Sequence, residues 1–570
     1  MVLKWLLCAT ILGAVVTASE PVQDDDEVRL PSFFADYMVL QRGSAILWGW
    51  GPKDSSVSIS VTDFSSNPPQ PIFSGEAETS NTSGRFEFTI ATPRPILNAT
   101  IVVKGTNVVS LTNVAFGDVY LCSGQSNMQY PMADAFNGAD EREHHADFPE
   151  LRLLTLATTT APSDATDVKS LAPYTWAPSS MATISPRTTD GTFGVPYPAA
   201  VCFYAVRELL RSPPSNESAP IGIITAAVGG TPIEKWMSAE AMVDGTPASL
   251  GGNGSCGGTV AVDASLVGNS TCNSSAPGVS ELYHGMIAPL VPMRLSAIMW
   301  YQGEENDHAE DACYGPEWYR CLFPSMIQSW RTAFRNPELP FLYVLLAGGH
   351  TALMREAQYL GAGALNHTTF ATAMDLGAFG DEFLVPGHPP RKQEVGRRLS
   401  LGLRNLVYGS GASRGPRMNS SGVVVTRSSS GQLIAEVPFI VDTTVKGTLH
   451  LNATGSCNGS SPEVCCNIAD TPSSWVIAFR DLNTPTKVEA AVNISIDVER
   501  GIVTAYAPDT IPLSVRIIEV RVHFDNNPTC ALYSGELSGP DSIYARDPHF
   551  GLVAEMDRMT FAVSQAATSI

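Results

Sequence analysis

Asp118-Val-Tyr-Leu-Cys122 is a short run with no room for a helical period, and it stops at Ser123-Gly-Gln-Ser-Asn127. Such a run reads as a strand buried on both faces, the kind found in parallel sheets covered by helices. The small polar turn after it would display the Ser126 hydroxyl at the rim of that sheet. The turn is not the nucleophile elbow of α/β-hydrolases, because Asn127-Met128 does not supply the second glycine. Ser126 is therefore a candidate nucleophile that needs partners from elsewhere in the chain.

Three later runs have the same form. Ile221–Ala227 is followed by Gly229-Gly230-Thr231, and Ala297–Tyr301 by Gln302-Gly-Glu-Glu-Asn306. Phe370–Leu376 reads as a strand, with His388-Pro389 beyond it, and 341–347 as one more. Open α/β sheets place their sites at the carboxyl ends of the strands, so Ser, Gly-Gly, Gln and His would meet at one edge. Serine is a poor nucleophile until a base takes its proton, and histidine has the pKa for that task. Of ten histidines, His388 alone stands between the last core strand and the last helix expected of the central region. His144 and His145 are adjacent, which does not put both on one ligand face, and they read as part of a solvated charged loop. His308 reads as a surface residue near the site.

In order, Gly-Gln-Ser126-Asn-Met, Gly-Gly230-Thr-Pro-Ile-Glu-Lys-Trp, Trp-Tyr-Gln302-Gly-Glu and His388-Pro-x-x-Lys-Gln-x-Val-Gly-x-Arg-Leu resemble sialate O-acetylesterases of the SGNH (GDSL-like) hydrolase superfamily. Met38-Val-Leu-Gln-Arg42 and Leu282–Leu290 extend the likeness, which covers most of the chain from Val28 to near Cys530. The resemblance implies Ser126 as nucleophile and His388 as base. It implies an oxyanion hole of the Ser126 N–H, a backbone N–H of Gly230 (or Gly229) and the Gln302 amide, where the superfamily usually has asparagine. Many superfamily members carry the triad acid three residues before the histidine, but Val385 stands there. Asp375, at the end of the last core strand, is the best-placed acid. Asp381, Glu382 and Glu304 are alternatives, as is a Ser–His dyad helped by a backbone carbonyl.

The expected fold class is α/β: an SGNH-type, mostly parallel sheet with flanking helices, plus N-terminal and C-terminal β-rich domains. The 570 residues are too many for one core. Residues 1–18 read as a secretory signal peptide, with an apolar run before the small residues Val16-Thr17-Ala18. Residues 28–114 read as a β sandwich and 115–408 as the hydrolase domain, with a glycosylated insertion at 237–282. Helices are expected at 198–210, 317–334 and 392–407, and a β-rich region over 413–570.

Eleven cysteines, ten without Cys8, fit an oxidising compartment. Cys256/Cys272 and Cys313/Cys321 are plausible pairs, as is some pairing among Cys457, Cys465 and Cys466, whereas Cys122 and Cys202 could equally be buried thiols. Sequons at Asn81, Asn98, Asn216, Asn253, Asn269, Asn273, Asn366, Asn419, Asn452, Asn458 and Asn493 are candidate glycan sites, a density that fits a secreted or lysosomal (vacuolar) protein.

A net charge of −21 argues against nucleic acid or an anionic membrane as partner. No metal-binding or dinucleotide motif is present, so no cofactor is implied. The reading is a serine esterase acting on O-acetylated sialic acid. The same chemistry on an acetylated polysaccharide such as xylan is the alternative, and a catalytically silent glycan binder the less favoured one.

Overall fold

The computed structural model describes residues 26–560 apart from 137, 144–147, 169–175, 185–197, 215–218, 245–278, 308–314, 348–349, 375, 377–386, 411–416, 419–421, 423, 441–449, 454–474, 482–486, 492, 498–499, 501, 507–514, 523–529, 535–551 and 554–556. The expected signal segment, most of the 237–282 insertion, His144, His145 and His308 lie outside the described residues.

The chain opens with β1 (Val39–Gln41), β2 (Gly43–Trp50), β3 (Ser56–Asp63), β4 (Gln70–Glu78), β5 (Arg85–Thr92) and β6 (Ile96–Lys104). β3 pairs antiparallel with β4 and β6, and β2 pairs with β5. β3 buries every second residue, as alternating Val57, Ile59 and Val61 require. The expected boundary after Val114 falls inside one continuous strand, β7 (Val108–Gly124). β7 starts beside β6 and finishes at the middle of the central sheet. Its last eleven residues, Val114 to Gly124, are all buried, so one strand carries the N-terminal β region straight to the nucleophile turn.

The central sheet adds β8 (Leu151–Thr155), β9 (Ala177–Pro178), β10 (Ile221–Ala227), β11 (Ala297–Tyr301), β12 (Phe341–Leu345) and β13 (Thr368–Thr372). Their order is β13-β12-β11-β7-β10-β8-β9. All neighbours are parallel except β8–β9. Chain order reverses direction around β7, with β10 on one side and β11 on the other, which makes the end of β7 a switch point.

Helices Ala200–Arg211, Pro316–Ala333 and Lys392–Tyr408 lie close to their expected positions. Helix Ala352–Gly363 was not foreseen. Alternation along β12 shows that two of these helices cover opposite faces. Phe341 and Tyr343 meet Phe323 of helix Pro316–Ala333. Leu342, pointing the other way, lies under Gly402 of helix Lys392–Tyr408. Cys122 of β7 is disulfide-bonded to Cys202 of helix Ala200–Arg211, where the sequence had left open a pair of free thiols. Cys321 is also disulfide-bonded.

After residue 410 the described strands are all antiparallel. Leu433–Ile440 pairs with Ile502–Tyr506, and Trp475–Asp481 with Val515–Val522. Asn81 and Asn366 are exposed sequons.

Gly124 closes β7 at φ +140°, and a Cβ there would sit 2.1 Å from the Tyr301 carbonyl oxygen. Gly124→Ala must therefore strain the backbone and push β7 from β11 at once. A destabilisation of about 3 kcal/mol or more is expected. Thermal melting checks it, and an unchanged melting temperature would contradict this packing.

Candidate active site

The four strand ends converge. Ser126 opens the short helix Ser126–Gln129 directly after β7, half-buried, and its Oγ lies 2.7 Å from His388 Nε2. With the proton of a neutral imidazole on Nδ1, the hydroxyl donates and Nε2 accepts, the ground state from which a serine is activated. Burial is the largest influence on His388, followed by the positive charges of Lys392 and His350; together they push its pKa from 6.5 down to about 4. The shift favours the neutral imidazole, the form that can take a proton.

Beyond β10, Gly229 and Gly230 are exposed and abut the nucleophile turn; a Cβ on Gly229 would lie 3.3 Å from Ser126 Cβ. The Gly229 N–H already donates to Gln129 Oε1 at 2.9 Å. The N–H groups of Ser126 and Gly230 take no backbone partner among the described residues. Gly230 holds φ +66°, with open space where a Cβ would be. Of the two glycines, Gly230 is the one whose N–H is left for a ligand.

Gln302 follows β11 and is fully buried. Its Nε2 donates to Asn306 Oδ1 at 2.8 Å, and also faces the Thr231 carbonyl at 3.2 Å and Gln125 Oε1 at 3.3 Å. Asn306 cannot turn its amide over, because its Oδ1 accepts from the Ile233 N–H and its Nδ2 donates to Glu234. That fixes Gln302 with Nε2 inward, one hydrogen on Asn306 and the second divided between two weaker acceptors. Gln302 therefore ties the end of β11 to the Gly-Gly-Thr segment and to the nucleophile turn. Trp300, two residues before Gln302, packs edge to face against Trp236 and Trp330.

Of the candidate acids, Asp375, Asp381 and Glu382 lie outside the described residues. Glu304 is described, and its bonds run elsewhere. Its Oε1 accepts from Asn127 Nδ2 at 2.5 Å. Burial raises its pKa, with His350, Asn127 and Lys392 opposing the rise.

Three residues near the site were missed by sequence reasoning: Asn127, Lys392 and His350. Lys392 is completely buried and donates to Asn127 Oδ1, with its Nζ 4.4 Å from the Tyr130 ring. Burial lowers its pKa to about 7, against the pull of Glu304. Its spacing was a usable signal: Lys392, Val395, Leu399 and Leu403 form one stripe of a helix, and a lysine on an apolar stripe must find a partner inside. His350 bonds Asp307 through Nδ1 at 3.3 Å, and its Nε2 is buried beside Gly387. Among the described residues no group of three or more His, Cys, Asp or Glu could hold a metal ion, and no helix is long and apolar enough to cross a membrane.

Comparison with known proteins covers the segment that carries this site. The family model described as carbohydrate esterase, sialic acid-specific acetylesterase, matches residues 116–400, half of the chain. The chain belongs to this family. It is a carboxylic ester hydrolase by that membership. The sialate O-acetylesterases of Pongo abelii and Homo sapiens are each 28% identical over 412 residues, covering 67% of this chain and 71% of theirs. That of Rattus norvegicus is 28% identical over 441 residues, covering 67% and 74%. A crystal structure of a carbohydrate acetylesterase from Xanthomonas citri superposes with a TM-score of 0.66 at 22% identity, covering 94% of this chain and 99% of that one. The overall fold is thus shared at low identity.

Proposed function

We propose that this member of the family hydrolyses O-acetyl esters on sialic acids, releasing acetate through an acetyl-enzyme on Ser126. The observation that carries the reading is the 2.7 Å contact between Ser126 Oγ and His388 Nε2, inside the matched residues 116–400. His388 takes the hydroxyl proton as Oγ attacks the acetyl carbonyl. The carbonyl oxygen gains the charge and meets the N–H groups of Ser126 and Gly230. Gln302, its amide turned inward to Asn306, Thr231 and Gln125, does not reach that oxygen and instead holds the Gly230 segment against the nucleophile turn. Collapse breaks the ester bond, and His388 returns the proton to the departing sugar oxygen. Water then repeats the sequence on the acetyl-enzyme and frees acetate and Ser126. Asp375 is the proposed acid that orients His388.

The proposed setting is the secreted or lysosomal lumen. The Cys122–Cys202 disulfide and the sequon density support it. So does the burial of His388, which lowers its pKa and favours the free base in an acidic lumen. The test is acetate release from O-acetylated sialic acid and from acetylxylan, side by side. A kcat/KM favouring the sialic acid is expected, and a clear preference for acetylxylan would overturn the substrate assignment while leaving the chemistry.

A further inference from the structure

Next to the nucleophile, Asn127 is fully buried and makes three side-chain bonds with groups from two other segments. Its Nδ2 donates to the Gly387 carbonyl at 2.7 Å and to Glu304 Oε1 at 2.5 Å, and its Oδ1 accepts from Lys392 Nζ. A backbone carbonyl can only accept, so the amide nitrogen must face Gly387. A lysine ammonium can only donate, so the amide oxygen must face Lys392. One orientation of the carboxamide satisfies both demands. Gly387 is the residue immediately before His388, and Lys392 lies in the first turn of the helix that follows it.

We infer that Asn127 is a positioning residue for the His388 base, holding the Gly387–His388 peptide against the nucleophile turn, and that Lys392 sets the orientation of its amide. The inference rests on the Ser126–His388 reading above. A lysine and a glutamate buried side by side cost stability that apolar residues of similar size would not, so their use here is better explained by geometry than by folding. Among the described residues, the charged and polar groups facing Lys392 belong to this junction. Asn127 comes from the nucleophile turn and Tyr130 from just beyond it, at 4.4 Å from Nζ to the ring. Tyr301, at 5.2 Å, and Glu304 come from the end of β11. His388 precedes its own helix, and His350 acts on both Glu304 and His388.

The test compares Asn127→Asp, Lys392→Met and Ser126→Ala in the full-length protein, with kcat and KM for acetate release measured across pH. Aspartate keeps the shape but turns a carboxylate oxygen toward the Gly387 carbonyl, where repulsion replaces a bond. Methionine keeps the bulk of Lys392 without a donor, and because it leaves Glu304 without its cation, Lys392→Met/Glu304→Gln, which removes both charges, is measured beside it. Asn127→Asp and Lys392→Met are both expected to lose roughly 100-fold in kcat, with KM little changed, as displacement of a base by an ångström does. In Lys392→Met the acid limb of the pH profile should also move above the native value of about 4, because a cation that disfavours the imidazolium is gone. Native-like melting with unchanged kcat, a loss confined to KM, or an acid limb that stays in place would each overturn the inference. Activity surviving in Ser126→Ala would instead overturn the Ser126–His388 reading beneath it.

Discussion

Ser126→Ala is expected to leave a folded protein with esterase turnover reduced on the order of a million-fold, as serine hydrolases show when the nucleophile is removed. The substitution deletes one oxygen whose described bond is the one to His388. No core contact is lost, so the melting temperature should not fall. His388→Ala should cost about as much, and the double variant little more, because the two act as one unit. Acetate release by purified variants checks both. Appreciable activity in Ser126→Ala would remove this serine from the mechanism.

Asp375→Asn is expected to lower kcat by about four orders of magnitude if the acid orients His388 as in serine-protease triads, whereas Glu304→Gln should lose far less. The contrast follows from what Glu304 touches. Its carboxylate is bound to Asn127, and the charges that act on it are those of His350 and Lys392. Among the described residues, the influences on His388 are burial, Lys392 and His350. A glutamine would still offer Asn127 an acceptor oxygen. Kinetics of the two variants in one assay decide the matter. Glu304→Gln as the more damaging change would reverse the assignment of the acid, and the Ser126–His388 pair would stand.

Much of this site could be read from the sequence because parallel strands place their chemistry at predictable ends. Ser126, Gly230, Gln302 and His388 each follow a short apolar run that could be buried only in a covered sheet, so one edge had to hold them all. The strands themselves shifted by a few residues. The last one was expected at 370–376 and occupies Thr368–Thr372, since its boundary depends on pairing with β12, which no single segment encodes. Helix Ala352–Gly363 was overlooked because its buried side includes Arg355 and Gln358. Gln358 bonds the Gln302 and Val344 carbonyls, and Arg355 the Ala347 and His350 carbonyls. Tertiary partners make such polar residues interior, and a hydrophobic pattern has no way to register them.

Asn127 and Lys392 illustrate the same limit. They lie 265 residues apart, and the amide that joins them has meaning only when the end of β7 meets the first turn of the last central helix. The Cys122–Cys202 disulfide is similar, joining a strand and a helix separated by 80 residues. Residue type and local spacing proposed the chemical groups. The sheet order, with β7 between β10 and β11, brought them within bonding distance.

The most direct measurement is covalent labelling with a fluorophosphonate, followed by peptide mass analysis of native protein and of His388→Ala. A single label on the peptide carrying Ser126, lost or greatly slowed without His388, is the expected result. A label on another residue, or labelling of Ser126 that proceeds as fast without His388, would contradict an esterase built on this pair.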